Sequence, residues 1–157
     1  MAIGIRSSAF ENGQAIPRKY SGEGEDASPS LSWGDVPGEA RQLALICDDP
    51  DAPGEEPWVH WVIYNIPPGV RELPEAIKPD ERPAEPTQAA QGENSWGRIG
   101  YGGPMPPPGH GTHHYHFRLY ATSAEPSLEP GLSKRQLLDA IGDTVLDEGE
   151  LVGTYER

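Results

Sequence analysis

Proline and glycine interrupt this chain 18 and 19 times in 157 residues, and no other feature limits its fold so sharply. Each proline removes a backbone donor and each glycine is costly inside regular structure, so long helices are disfavoured over most of the length. The apolar residues fall instead into short runs of strand length, at 3–6, 31–33, 42–47, 58–66, 114–122 and 151–155. An all-β dominated fold with long Pro/Gly-rich loops follows. One segment reads as a helix: Ser133 is its N-cap, Gln136 completes a capping box, and Leu137, Leu138, Ile141, Val145 and Leu146 recur at spacings of three and four. Gly149 is expected to end it. Residues 67–111 have little periodicity and many turn formers, and so long a connection is expected to fold over the core and serve a site.

The length suits a single domain, 1–157, with one core. Lys and Arg total 12 against 25 Asp and Glu, and the resulting charge of -13 repels nucleic acid and anionic lipid surfaces. The first residues lack a charged segment followed by an apolar one, and no run approaches a membrane span, so a cytoplasmic location without stable membrane insertion is the expectation. Cys47 is the only cysteine, which excludes an intramolecular disulfide, and it falls inside an apolar run. It is expected to pack rather than react.

Two segments concentrate chemistry. In Asp48-Asp49-Pro50-Asp51-Ala52-Pro53 three carboxylates stand in a proline-stiffened turn, directly before the strand Trp58-Val59-His60-Trp61. Both tryptophans are expected to face away from His60 along that strand, with Trp58 still bordering a site where the strand begins. The second segment runs from Gly100 to His116 and joins a Pro/Gly loop to a strand. A period of two sends His113, Tyr115 and Phe117 to one face and His114, His116 and Arg118 to the other. That division argues against a metal centre built from the clustered histidines, and no cofactor is expected.

The order of these segments resembles the phosphatidylethanolamine-binding protein family, in its short bacterial and archaeal Raf kinase inhibitor-like branch. The likeness rests on the acidic turn, the Trp-x-His-Trp strand, the Gly-Tyr-Gly-Gly-Pro loop, the His-x-Tyr strand and a last helix and strand. It implies a β-sandwich of two antiparallel sheets with a C-terminal helix and a small anion-binding pocket near one end. By this resemblance Asp49, Trp58, His60, Met105, Pro106, Pro107, His113 and Tyr115 line the pocket, with Asp51 and Pro53 structural beside it. The ligand expected is a small anion or phosphoryl group akin to a phospholipid headgroup, bound without turnover, in a protein that regulates partners. A homodimer is a further expectation, and no protein partner is identified. The alternative is a hydrolase in which Asp49 and His60 or His113 act as an acid-base pair.

Relatives commonly carry arginine where this chain has His114, so an ion pair from that position to the acidic turn is expected to be lost or replaced. Many carry cysteine in place of Met105. The resemblance also makes Ala52-Pro53 a candidate cis bond, and it makes His113 a group whose replacement by alanine weakens anion binding without disturbing the fold.

Overall fold

The structure, a computed structural model, describes residues 3–157. Met1 and Ala2, part of the N-terminal segment read above for a leader, lie outside the described residues. Eight strands form: β1 (Ile5–Arg6), β2 (Leu31–Trp33), β3 (Gln42–Asp49), β4 (Trp58–Ile66), β5 (Glu72–Leu73), β6 (Ala90–Gln91), β7 (His113–Thr122) and β8 (Val145–Tyr155). One α-helix, α1, spans Lys134–Ile141. The strands make two antiparallel sheets, one ordered β1-β2-β5 and the other β6-β4-β3-β7-β8.

Strand β3 is central in the larger sheet and buried along its whole length. Its sequence is a continuous apolar run rather than an alternating one because both of its faces are covered. Leu43, Leu45 and Cys47 join Trp61, Tyr115 and Phe117 in a core shared with Leu31, Trp33 and Leu73 of the smaller sheet. Ala44 and Ile46 face the other way, against Leu137 and Ile141 of α1. The strand ends in two aspartates that therefore point to opposite faces. Asp48 meets Lys134 Nζ of α1 at 2.6 Å and Arg118 Nη1 of β7 at 3.0 Å, while Asp49 turns to the side of His113 and Tyr115.

The capping box forms as read: the Ser133 hydroxyl accepts from the Gln136 amide, and the Gln136 side chain accepts from the Ser133 amide. The helix is shorter than its apolar spacing suggests. It stops at Ile141, a 3₁₀ turn covers Gly142–Thr144, and Val145 and Leu146 begin β8 instead of extending α1. Pairing of Val145 and Asp147 with Thr122 and Ala121 of β7 decides the matter, a case of tertiary hydrogen bonding overriding a local period. Gly149 lies within that strand and does not terminate a helix. A Cβ there would stand 2.1 Å from the Ile3 carbonyl oxygen, so the N-terminal segment can cross β8 closely only at glycine. The cis peptide bond is Glu85-Pro86; Ala52-Pro53 is trans, in line with the ordinary preference of X-Pro bonds.

Residues 67–111 do fold over the core. Buried Gln91 pins them: its amide donates to the carbonyls of Lys78 and Asp80 at 2.7 and 2.9 Å, and its oxygen accepts from Trp61 Nε1 at 2.8 Å. Asn94 then organises the next turn, accepting from the amides of Trp96 and Arg98 and donating to the Gly100 carbonyl. That turn holds Trp96 over the end of β4.

Candidate functional site

A cavity of about 360 Å³ opens where β3, β4 and β7 end. Asp49, Trp58, His60, His113 and Tyr115 supply its strand walls. Met105, Pro106 and Pro107 close it from the loop, and Pro53 with Ala52 from the acidic turn. All eight residues expected to line a pocket thus surround one space, and Pro53 borders it. Ala52 and Trp96 are additions that the sequence reading missed. Nothing local announces Trp96; only the Asn94 turn brings it over the strand.

A β-bulge aims His60. Cys47 pairs with Trp61 and Asp48 with Val59, which leaves His60 as an extra residue between two registered pairs. Trp58, two residues before His60, shares its side by ordinary alternation, and the extra residue brings Trp61 to that side as well. Trp61 fills the core beside Cys47, Trp58 lines the cavity, and the expectation that both turn away from His60 is corrected. The His60 ring is wedged edge-on between Trp96 and Tyr115, with ring centroids 5.0 Å away on each side. Its Nδ1-H donates to the Gly102 carbonyl at 2.7 Å, which directs Nε2 as a lone-pair acceptor.

Burial lowers the pKa of His60 below its ordinary 6.5, against smaller raising contributions from the Gly102 carbonyl and Asp49. An unfolded chain then takes up this proton at higher pH than the folded one, so stability falls as pH drops below about 6.5 and stops falling below the folded value. The protein is expected to melt at lower temperature at pH 5 than at pH 7. His60→Asn, which keeps a donor for Gly102, is expected to remove part of that loss in melting scans at the two pH values.

Asp49 is 2% exposed and both its oxygens are engaged. Oδ1 accepts the Asp51 amide at 2.8 Å, and Oδ2 accepts His113 Nδ1-H at 2.6 Å. The other nitrogen of His113, Nε2, lies 2.6 Å from His110 Nδ1. His113 is therefore locked on both sides within a buried network, so alanine there would leave the Asp49 carboxylate without its partner and disturb the fold as well. His110 escaped the sequence reading because its register with His113 depends on the turn at Gly109 and Gly111, both at positive φ.

Asp51 sits on the rim rather than in the cavity. Its Oδ2 accepts both the His114 amide at 2.9 Å and His114 Nδ1-H at 2.8 Å, so an imidazole replaces the arginine common at that position. Burial alone would raise the Asp51 pKa, yet the hydrogen bonds from His114 leave it below its usual value. Tyr115 is pushed far above the ordinary range by burial and by the charge of Asp49, which keeps its hydroxyl protonated and able to donate. Burial likewise raises the Cys47 thiol well beyond its ordinary value.

In the loop segment Pro104-Met105-Pro106-Pro107-Pro108 only Met105 carries a backbone N-H, so the rim offers one main-chain donor where four prolines fix the path. A broader groove of about 840 Å³ lies on the far side of Trp96, over the start of α1. Its polar side chains are mostly exposed, whereas the smaller cavity is where buried titratable groups converge. The smaller one is the candidate site. Among the described residues no three His, Cys, Asp or Glu side chains assemble as a metal site, and no helix is long and apolar enough to cross a membrane.

Residues 6–156 match the family profile described as phosphatidylethanolamine-binding protein. A UPF0098 protein of Methanothermobacter thermautotrophicus is 48% identical over 155 residues, covering 99% of each chain. Among solved structures, E. coli YbcL, described as a member of the mammalian PEBP family, superposes with a TM-score of 0.92 at 31% identity, covering 100% of this chain and 99% of its own. A PEBP homologue from Chlamydia trachomatis gives 0.88 at 41% identity, with coverage of 99% and 98%.

Proposed function

This chain belongs to the phosphatidylethanolamine-binding protein family, and we propose that its 360 Å³ cavity takes a small phosphoryl or other tetrahedral anion, of the phospholipid-headgroup kind, without turning it over. Through that ligand the protein acts on partner proteins. The observation carrying this reading is the convergence of Asp49, His60, Met105, His113 and Tyr115 on one small space whose remaining walls are apolar. Apolar walls with a few convergent polar groups are what a headgroup-sized ligand requires. A hydrogen bond to a charged ligand contributes about 1.5–3 kcal/mol, so the few donors left open here support weak, roughly millimolar binding once ordering is deducted.

The hydrolase alternative has no observation in its favour. Asp49 has both oxygens committed, and His113 has both nitrogens engaged. The Cys47 thiol is buried and held protonated, so it offers no thiolate nucleophile.

The test is a titration with phosphate and with O-phosphorylethanolamine, followed by two-dimensional NMR of the histidine side chains, with a parallel assay for ligand breakdown. Saturable shifts at His60 and His113 with the ligand intact are expected. Tyr115→Phe removes a hydroxyl that also interacts with Asp49, and affinity should fall about tenfold, the equivalent of one charge-assisted bond at its weaker end. Ligand breakdown, or affinity unchanged in Tyr115→Phe with no shift at either histidine, would overturn the binding reading.

A further inference from the structure

Anion binding at this site poses a charge problem. No lysine or arginine lines the cavity, and the one carboxylate that does, Asp49, is buried. An anion placed beside Asp49 needs a compensating positive charge in a poorly solvated space. Among the groups lining the cavity, only the imidazoles can supply one. His60 is ill suited: its Nδ1-H is committed to Gly102, two aromatic rings enclose it, and burial favours its neutral form.

The His110–His113 couple is built differently. Its four ring nitrogens include three that are hydrogen-bonded: His113 Nδ1 to Asp49, and His113 Nε2 to His110 Nδ1 across 2.6 Å. In the neutral couple the bridge holds a single proton. The fourth nitrogen, His110 Nε2, has no partner among the described residues, and the His110 ring is exposed between Gly109 and Gly111.

Resting on the reading of the cavity as an anion site, we propose that His110 is its proton port: binding of a tetrahedral anion takes up one proton, which attaches at His110 Nε2 and is held across the His110–His113 bridge. The bridging proton passes from His110 Nδ1 to His113 Nε2 as the new one arrives. His110 then stays neutral, and His113 becomes a cation held between Asp49 and His110 in the cavity wall. No other bond changes.

The groups around the couple support that location. Asp49 on β3 touches His113 directly, and the Asp51 carboxylate in the acidic turn lies within electrostatic reach of it. Tyr115 on β7 and Tyr155, opposite His113 on β8, are neutral phenols whose ionisation is pushed upward. Glu156 is fixed by Thr112, and His114 is occupied by Asp51. The opposing cation is Arg157, whose Nε donates to the Pro106 carbonyl and whose own carbonyl accepts the Gly109 amide. Carboxylates outnumber that one guanidinium around the couple.

Sulfate is the suitable probe, because it is a tetrahedral dianion with no titrating proton near neutrality and every proton taken up belongs to the protein. Calorimetric titration of the full chain in buffers of different ionisation heat counts those protons. Wild type is expected to take up roughly one proton per sulfate near pH 7.5 and to lose affinity about tenfold per pH unit above that. His110→Asn can still donate to His113 Nε2 but cannot carry the proton. It should take up less than half a proton, bind about tenfold more weakly near pH 6, and match wild type near pH 8.5, with its melting curve unchanged. In wild type, the His113 ring nitrogens should move to imidazolium-like positions in side-chain NMR as sulfate is added, while His110 exchanges its Nδ1-H tautomer for the Nε2-H one. Binding without proton uptake, or full uptake persisting in His110→Asn, would overturn the proton port and leave the anion site standing. No saturable binding of sulfate or phosphate would overturn both.

Discussion

Asp49→Ala is expected to lower stability by about 2–6 kcal/mol, at about 1–3 kcal/mol for each of two buried groups left without an acceptor, and to abolish anion binding with it. The loss has two sources. His113, 1% exposed, would keep an Nδ1-H with no acceptor, and the Asp51 amide would lose the oxygen that shapes the acidic turn. For a chain of this length such a change moves the melting midpoint by several degrees or more, which a thermal scan reads directly. Asp49→Asn separates the two roles. Its oxygen can still accept the Asp51 amide while its NH₂ faces His113 Nδ1, which forces the imidazole into the Nε2-H tautomer. That variant should melt within a few degrees of wild type yet bind phosphate at least tenfold more weakly, because a neutral amide does not sustain a cationic His113. If Asp49→Asn binds phosphate as wild type does, the carboxylate has no part in recognition.

Gly103→Ala is the second large effect. A Cβ at Gly103 would stand 2.2 Å from the Tyr20 carbonyl oxygen, 2.8 Å from Asp26 Oδ1 and 2.9 Å from Ser21 Cα, all parts of a segment tied down by its own bonds. The Tyr101 hydroxyl donates to that same Tyr20 carbonyl at 2.6 Å, and the Gly103 amide donates to Asp26 Oδ1 at 2.7 Å. Neither side can yield without breaking one of these, so overpacking should cost about 1–3 kcal/mol or somewhat more. The displaced loop carries the Gly102 carbonyl and Met105, so His60 loses its anchor and the cavity its rim. Gly102→Ala makes an informative contrast. Its Cβ meets the outer edge of the Trp96 ring at 2.3 Å, and Trp96 is exposed enough to swing outward. Stability should fall much less, while the wall over His60 is lost. Denaturant melts of the two variants, with phosphate titration of each, check the ordering; equal destabilisation would show that the Tyr20 segment is softer than its hydrogen bonds imply.

Much of the architecture was legible in local chemistry. Dense proline and glycine ruled out long helices, the run from Leu43 to Cys47 announced a strand covered on both faces, and Ser133 with Gln136 marked the start of α1. The acidic turn, the Trp-x-His strand and the His-x-Tyr strand named the side chains that now surround one cavity. These features are readable because strand burial, capping and turn formation depend on neighbours within a few residues.

What failed were inferences that extended a local period past the point where a distant segment took over. Val145 and Leu146 continue a helical spacing, but β7 pairs with Val145 and Asp147 on either side of Leu146, and the segment joined β8. Alternation sets Trp61 on the face opposite His60, but the extra residue opposite Cys47 and Asp48 brings it to the same side, whereas Trp58 shares the His60 face by alternation itself. Trp96 and His110 reach the site only through turns whose geometry depends on Asn94 and on glycines at positive φ. Local sequence alone marked the long strands and most of the side chains that carry the chemistry, while the two-residue strands β5 and β6 gave no local signal. Tertiary structure alone decided which nitrogens of His60, His110 and His113 are committed and which remain open, because a hydrogen-bond partner tens of residues away sets each ring's tautomer and direction.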